Sequence, residues 1–197
     1  MSYNIYTTKG IVLSLLPIRE ADGLYTILSR DLGVIFARAS GTRKENSKLR
    51  AGLEPLSLSS ISLIKGKSNW RVTSSFLLKS ISPLQKTNKD LAKSLFQALF
   101  LLEKLVQGEE KHKELFDAIE DIFITSANLT EDSDTALAIE IVLVSRILYH
   151  LGYLAERDVP KEVIRGEFNK ELSDIVIKNK KKIIEVINQG IRTTGLV

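Results

Sequence analysis

Two changes along this sequence place it in the α+β class. Up to residue 82 the apolar residues recur with a period near two, in short runs separated by turn residues. From Pro83 onward they recur at helical spacing. The charge balance changes at the same place. Residues 1–82 carry twelve Lys or Arg against five Asp or Glu, a balance of +7, whereas residues 83–197 carry sixteen against nineteen, a balance of −3. The predicted organisation is a small β-barrel over residues 1–82 followed by an α-helical domain over 83–197, with the boundary near Ser82-Pro83.

The first predicted strand runs from Ile5 to Leu16 and is rich in β-branched and large apolar residues. Gly10 lies inside it, where a glycine marks a bulge or bend of the sort small barrels need at their corners. Gly23–Arg30 and Gly33–Ala39 form the next pair, and Asp31-Leu32-Gly33 reads as the hairpin turn between them. Leu58–Lys65 alternates apolar residues with serine, the pattern of a half-buried strand. Gly66 to Asn69 is a turn, and Trp70–Leu78 is a fifth strand. Between the third and fourth strands a loop opens into a short helical turn, with Ser47 as the expected N-cap. Five strands with one helical turn between the third and fourth point to a Greek-key barrel of the OB type.

In the second part Leu91, Leu95, Ala98, Leu99, Leu102, Leu105 and Val106 share one helical face, and Gly108 is expected to end that helix. A second helix begins around Leu115 and ends near Asn128. The acidic run at 130–134 reads as a helix start favoured by the positive end of the dipole, not as a metal site. The third helix, Thr135–Leu151, is apolar on nearly every side and should be the centre of a bundle, capped by Gly152. Residues 158–169 read as irregular. One or two helices follow between Glu171 and Ile191.

Composition excludes several classes of chemistry. The chain has no cysteine, so disulfides, thiolate zinc sites and cysteine nucleophiles are ruled out. It has two histidines, His112 and His150, and neither has a catalytic or ligand partner at useful spacing. Gly66-Lys67-Ser68 matches the end of a phosphate-binding loop, but Ile61 stands where that motif demands glycine. No catalytic residue, metal ligand or cofactor is therefore expected, and the chain reads as a non-enzyme. The first residues lack a signal-peptide pattern, and Ala136–Leu151, interrupted by Glu140 and Arg146, is too short and too charged to span a bilayer. A cytoplasmic protein without a membrane partner is expected.

The candidate site is the loop between the third and fourth strands. Arg43, Lys44, Lys48 and Arg50 fall within eight residues, opposed only by Glu45. Taken alone, such a loop also reads as solvated surface. The charge asymmetry tilts it toward an anionic partner, nucleic acid ahead of a membrane surface. Arg19, Lys65, Lys67 and Arg71 are secondary phosphate contacts on neighbouring loops. Trp70, the sole tryptophan, is either a core anchor or a stacking platform for a base. Arg146 is either a structural salt bridge or a cation at the rim of an apolar groove that captures an acidic peptide.

The residues Gly10-Ile11-Val12-Leu13, Glu20-Ala21-Asp22, Gly33, Ala39-Ser40-Gly41-Thr42-Arg43-Lys44, Ser47-Lys48-Leu49-Arg50 and Leu53-Glu54-Pro55 resemble, in order, the N-terminal part of the RecO family of bacterial recombination mediators. Leu115-Phe116 and the run Ser145-Arg146-Ile147-Leu148 leading into Leu151-Gly152-Tyr153 continue the likeness, which covers about residues 5–157. The resemblance implies an OB-fold followed by a helical domain. It also implies binding to single- and double-stranded DNA, annealing of complementary strands, and help in loading RecA onto DNA coated by the single-strand binding protein, SSB. Implied partners are RecR and the acidic C-terminal tail of SSB, with Arg146 as the candidate cation for that tail, in a bacterial cytoplasm near the nucleoid. Many members carry a four-cysteine zinc module after the "LGY" segment. Here residues 154–169 stand in its place, without cysteine. Ser40 also stands where the family usually has Lys or Arg, and residues 170–197 match loosely.

Overall fold

The structure is a computed structural model that describes residues 4–18, 20–66, 69–106, 108–125 and 132–196. Strand β1 (Ile5–Pro17) is long enough to serve two neighbours. Its first half pairs with β4 (Ser57–Lys65) and its second with β2 (Gly23–Ser29), both antiparallel. Strand β2 pairs with β3 (Gly33–Ala39), and β4 pairs with β5 (Trp70–Ser80). A short parallel pairing of β3 with β5, at Ala37–Trp70 and Arg38–Arg71, closes the ring in the order β1-β2-β3-β5-β4. This is the ring of an OB-fold.

Alternation selects what fills the barrel. Tyr25 and Ile27 of β2, Ile35 and Ala37 of β3, and Ile61 and Leu63 of β4 point inward with Val12, Trp70 and Val72. Ser60 and Ser62 take the outward positions of β4 and are half-buried. The bend predicted at Gly10 lies elsewhere, because the β1–β2 register shifts between Val12 and Ser14. Gly10 serves close approach instead. A Cβ there would stand 2.8 Å from Ile27 Cγ2 and 2.9 Å from Ile61 Cδ1. The β2–β3 hairpin turns through Gly33 at φ +72°, left-handed backbone that favours glycine. The Ser29 hydroxyl donates to the Gly33 carbonyl (3.0 Å) and accepts from Leu32 N–H (2.9 Å).

The chain divides into two compact units. One comprises Met1–Ser82 with Gln107–Phe116; the other comprises Pro83–Val106 with Asp117–Val197. Part of the stretch that the sequence reading assigned to the helical domain thus lies with the barrel. There the Gly108 carbonyl accepts from Val34 N–H (3.1 Å), and Glu109 accepts from the Trp70 indole N–H (2.9 Å) and from Lys65 Nζ (3.2 Å).

The helical unit contains α1 (Leu84–Thr87), α2 (Lys89–Leu105) and most of α3 (Lys113–Thr125). It continues with α4 (Ser133–His150), α5 (Lys161–Arg165), α6 (Lys170–Lys178) and α7 (Lys180–Thr193). Helix α2 stops at Leu105, three residues before Gly108, because Val106 is already extended. The predicted end of the next helix near Asn128 lies outside the described residues. Helix α4 is the predicted centre and packs against α2, α5, α6 and α7. Asp132 caps its start by accepting from Thr135 N–H at 2.6 Å, so the acidic run does mark a helix start. At its end Tyr153 N–H donates to the Leu148 carbonyl and Gly152 N–H to the Tyr149 carbonyl, the paired bonds of a Schellman cap, with Gly152 at φ +79°. A 3-10 turn (Glu156–Asp158) leads into the segment read as irregular, which holds α5, seated by buried Val159, Val163, Ile164 and Phe168.

Candidate nucleic-acid interface

The basic loop is built on a braced root. The Asp22 carboxylate accepts from Arg38 Nη2 (2.7 Å) and from Gly41 N–H (3.1 Å), fixing the point where the chain leaves β3. Gly41 turns it at φ +70°. Arg43 N–H then donates to the Ala21 carbonyl at 3.2 Å, tying the loop to the strand-linking segment before β2. From here the backbone advances by successive i→i+3 turns. Lys44 N–H donates to Gly41, Ser47 to Lys44, Arg50 to Ser47 and Leu53 to Arg50, all between 3.1 and 3.3 Å. The last turn is the 3-10 helix Ala51–Leu53. Ser47 does not cap it; Arg50 occupies the cap position, with no side-chain bond, and Ser47 contributes only its carbonyl.

The turns sort the side chains. Leu53 is buried in the barrel core and Leu49 packs against it, while Arg43, Lys44, Lys48 and Arg50 are exposed. Serines hold the inner side. Ser75 donates to the Leu49 carbonyl (3.1 Å), and Ser59 and Ser57 donate to the Gly52 carbonyl (2.7 and 3.2 Å). At Gly52 a Cβ would stand 2.8 Å from Ser75 Oγ, so the loop lies directly on β5. Burying a leucine such as Leu53 stabilises by about 2 kcal/mol. Two like charges about 8 Å apart in water repel by only about 0.5 kcal/mol. The leucine anchors therefore outweigh the crowding of cations. Lys44, Lys48 and Arg50 make no ion pair among the described residues.

The secondary candidates fall differently. Arg71 is exposed at the start of β5. Arg19 and Lys67 lie outside the described residues. Lys65 is engaged, paired with Glu109 at 3.2 Å and with its ammonium 5.1 Å from the Trp70 ring centroid. Trp70 is 4% exposed and meets Tyr6 edge-on at 5.3 Å. Of its two readings the geometry is that of the core anchor, since a ring so covered offers no face to a base. Its indole N–H and the Lys65 ammonium hold the Glu109 carboxyl below its ordinary range, the Trp70 bond being the larger cause. Sequence reasoning missed Glu109 and the bracing role of Asp22. Glu109 stands 39 residues beyond Trp70 and 44 beyond Lys65, separations that no local pattern reports, although Asp22 did stand among the residues that carried the family likeness.

Arg146 is buried in the helical unit, 2% exposed. Its Nε donates to the Val163 carbonyl (3.1 Å), Nη1 to the Ala118 carbonyl (3.3 Å) and Nη2 to the Gly166 carbonyl. Asp121 Oδ2 lies 3.6 Å from Nη1. Burial lowers the pKa of the guanidinium from its ordinary value, and Asp121 offsets part of that shift. Such a guanidinium braces α3, α4 and the segment around α5; it does not stand at the rim of a groove. Among the described residues no group of three or more His, Cys, Asp or Glu is arranged to hold a metal, and no helix is long and apolar enough to cross a membrane.

An OB barrel that carries an outward cationic loop, with a helical unit appended, defines the class of protein. Residues 1–81 match the family described as Recombination protein O N terminal. A protein named DNA repair protein RecO from Synechococcus sp. is 31% identical over 163 residues, covering 79% of this chain and 55% of that protein. One of the same name from Acetivibrio thermocellus is 28% identical over 151 residues, covering 76% and 58%. Another, from Heliobacterium modesticaldum, is 39% identical over 80 residues, covering 41% and 29%. The chain is thus similar to proteins named DNA repair protein RecO, and its residues 1–81 match the N-terminal part of that family. It spans about half the length of the curated relatives that it matches most extensively.

Proposed function

We propose that this protein is a non-enzymatic DNA repair and recombination mediator that binds single- and double-stranded DNA through the basic loop of its barrel and anneals complementary strands. The observation that carries the reading is the sorting of the loop. Leu49 and Leu53 are drawn inward while Lys44, Lys48 and Arg50 are held outward and unpaired among the described residues. Annealing requires no bond chemistry. It requires cations that offset the repulsion between two phosphate backbones while base edges stay free to pair. Arg43, Lys44, Lys48 and Arg50 act as the main phosphate contacts, with Arg71, Arg19 and Lys67 as flanking ones. Lys65, already engaged by Glu109, contributes less.

The family relationship supports the finer reading. In it the protein works with RecR, meets the C-terminal tail of SSB through its helical domain, and indirectly favours loading of RecA, in the bacterial cytoplasm near the nucleoid. We assign Arg146 to bracing the domain rather than to capturing that tail. Residues 1–82 and 83–197 act as the nucleic-acid and partner domains, with 107–116 serving the first. No cofactor or zinc is required, because residues 154–169 contain no cysteine. The decisive experiment measures binding and annealing of labelled oligonucleotides as salt is raised. Sequence-independent binding that falls steeply with salt is expected. Affinity indifferent to salt would overturn the reading, and a marked preference for RNA of the same sequence would favour a general OB-type RNA binder instead.

A further inference from the structure

The basic loop does more than display charge: with β1, β2 and the 3-10 turn it walls a concavity of about 700 Å3. Its lining combines opposite charges. Arg43 and Arg50 contribute guanidiniums, and Glu45 and Glu54 contribute carboxylates. A site for a bare anion has no use for two carboxylates, which would repel it. Leu15 and Pro55 supply apolar surface, and Tyr25 closes the floor. Thr42 also lines the concavity; it is 2% exposed, and its hydroxyl has no hydrogen-bond partner. A buried polar group left unpaired costs about 1–3 kcal/mol. Such a group in the wall of a cavity marks a place where a ligand atom completes the bonding.

We propose that this concavity holds one nucleotide unit of a bound strand. The ligand chemistry follows from the lining. A nucleotide carries a phosphate for the guanidiniums and a flat, largely apolar base for Leu15 and Pro55. Cytosine, adenine and guanine also present an exocyclic amine, the donor that Glu45 and Glu54 accept. Thymine has no such amine. The site therefore takes amine-bearing nucleotides ahead of thymidylate, giving the loop a modest base preference on top of its charge. This inference rests on nucleic-acid binding by the loop and adds to it a specific occupant.

The experiment uses the full chain, isotope-labelled, with backbone amide resonances followed by NMR. Four probes are titrated: dCMP, dTMP, inorganic phosphate and a mixed twenty-nucleotide strand. With dCMP the amides of Thr42, Ser47 and Leu53 should move, and dTMP should bind at least about fivefold more weakly, the low end of what one good base contact discriminates. The Glu45→Ala, Glu54→Ala double variant should erase the difference between dCMP and dTMP. Equal binding of dTMP and dCMP, shifts reproduced by phosphate alone, or a preference that survives the double variant would each overturn the proposal. If the oligonucleotide shifts the loop amides and dCMP does not, the nucleotide pocket fails while loop binding stands. If neither moves them, both fail.

Discussion

The basic loop and helix α4 both set arginine beside buried leucines, and they use it in opposite ways. In the loop the apolar residues go in and the cations go out. In α4 the cation itself goes in, with Ile147 and Leu148 beside it, and is 2% exposed. The difference lies in what waits for the guanidinium. Helix α5 is five residues long, so most of its carbonyls have no intrahelical donor. Arg146 supplies donors to two carbonyls at that helix end, Val163 and Gly166, and a third to Ala118. The outward loop has already satisfied its backbone by consecutive turns and by serines from β4 and β5, so Lys44, Lys48 and Arg50 are left to solvent or ligand. One buried side chain and four apolar residues thus hold the segment around α5.

Removing the inward cation should have the largest effect of any change considered. Arg146→Ala takes one donor each from the Val163, Ala118 and Gly166 carbonyls and leaves Asp121 without this partner. Hydrogen bonds from a charged group are worth about 1.5–3 kcal/mol each, so losing this set costs about 3–5 kcal/mol once the relief of the buried charge is allowed for. For a chain of this size that lowers Tm by roughly 6–20 °C, read by calorimetry. Arg146→Lys should recover only part, since one ammonium cannot span three carbonyls. A variant with unchanged Tm that fails only to bind an acidic peptide would return Arg146 to the rim of a partner groove.

Removing the outward cations should do the reverse. Arg43→Glu with Lys44→Glu should leave Tm within about 1 °C, as for exposed substitutions. It should weaken oligonucleotide binding roughly a hundredfold at low salt, shrinking as salt screens the new repulsion. Fluorescence anisotropy across a salt series checks both. A double variant that binds and anneals like the parent would remove the loop from the mechanism.

The contrast between the two arginine settings was only half legible in the sequence. Alternation marked all five strands to within two or three residues because each buries one face, and Ile61 and Leu63 against Ser60 and Ser62 show how. Helix α4 announced itself by being apolar all round, and the acidic run at 130–134 announced its start. The four loop cations were legible as a cluster because outward residues need no partner to be recognised. Arg146 was not, since its role depends on carbonyls from 118, 163 and 166, which no local pattern reports. The same holds for Glu109 and the return of 107–116 to the barrel, which rest on bonds reaching back 39 and 44 residues. Gly10 misled for a related reason: a glycine needed for space and a glycine needed for a bend read alike in sequence.

A smaller effect separates charge from geometry within the loop. Asp22→Asn removes a negative charge at the root of the cationic loop, so net electrostatics alone predicts tighter DNA binding. The brace predicts weaker binding, because the carboxylate holds Arg38 and Gly41 N–H at the root. Losing part of a charge-assisted hydrogen bond costs about 1 kcal/mol, so affinity should fall roughly fivefold with little change in salt dependence. Tighter binding in the same anisotropy assay would show that the loop acts as a cloud of charge and needs no fixed root.

The smallest effect concerns a cation of the candidate set that is already engaged. Lys65 shares Glu109 with Trp70, and both hold that carboxyl below its ordinary value of 4.5. A carboxylate whose folded pKa is depressed contributes stability that is fully present above its unfolded pKa. That contribution is lost as pH falls through the lowered folded value. Glu109→Gln keeps an acceptor for the indole and gives up the charge. At neutral pH the variant barrel should be less stable than the parent by under about 1 kcal/mol, as for a half-exposed pair. The gap should close as pH falls below 4.5. Trp70 is the sole tryptophan, so its fluorescence in urea melts reports the unit in which it sits. A gap that persisted unchanged into strong acid would mean that hydrogen-bond geometry, and not charge, joins Glu109 to the barrel. Lys65 would then be as free for phosphate as Lys44 and Lys48. If the gap closes, freeing Lys65 by Glu109→Gln should raise oligonucleotide affinity slightly at low salt, the one change in the series that strengthens binding while weakening the fold.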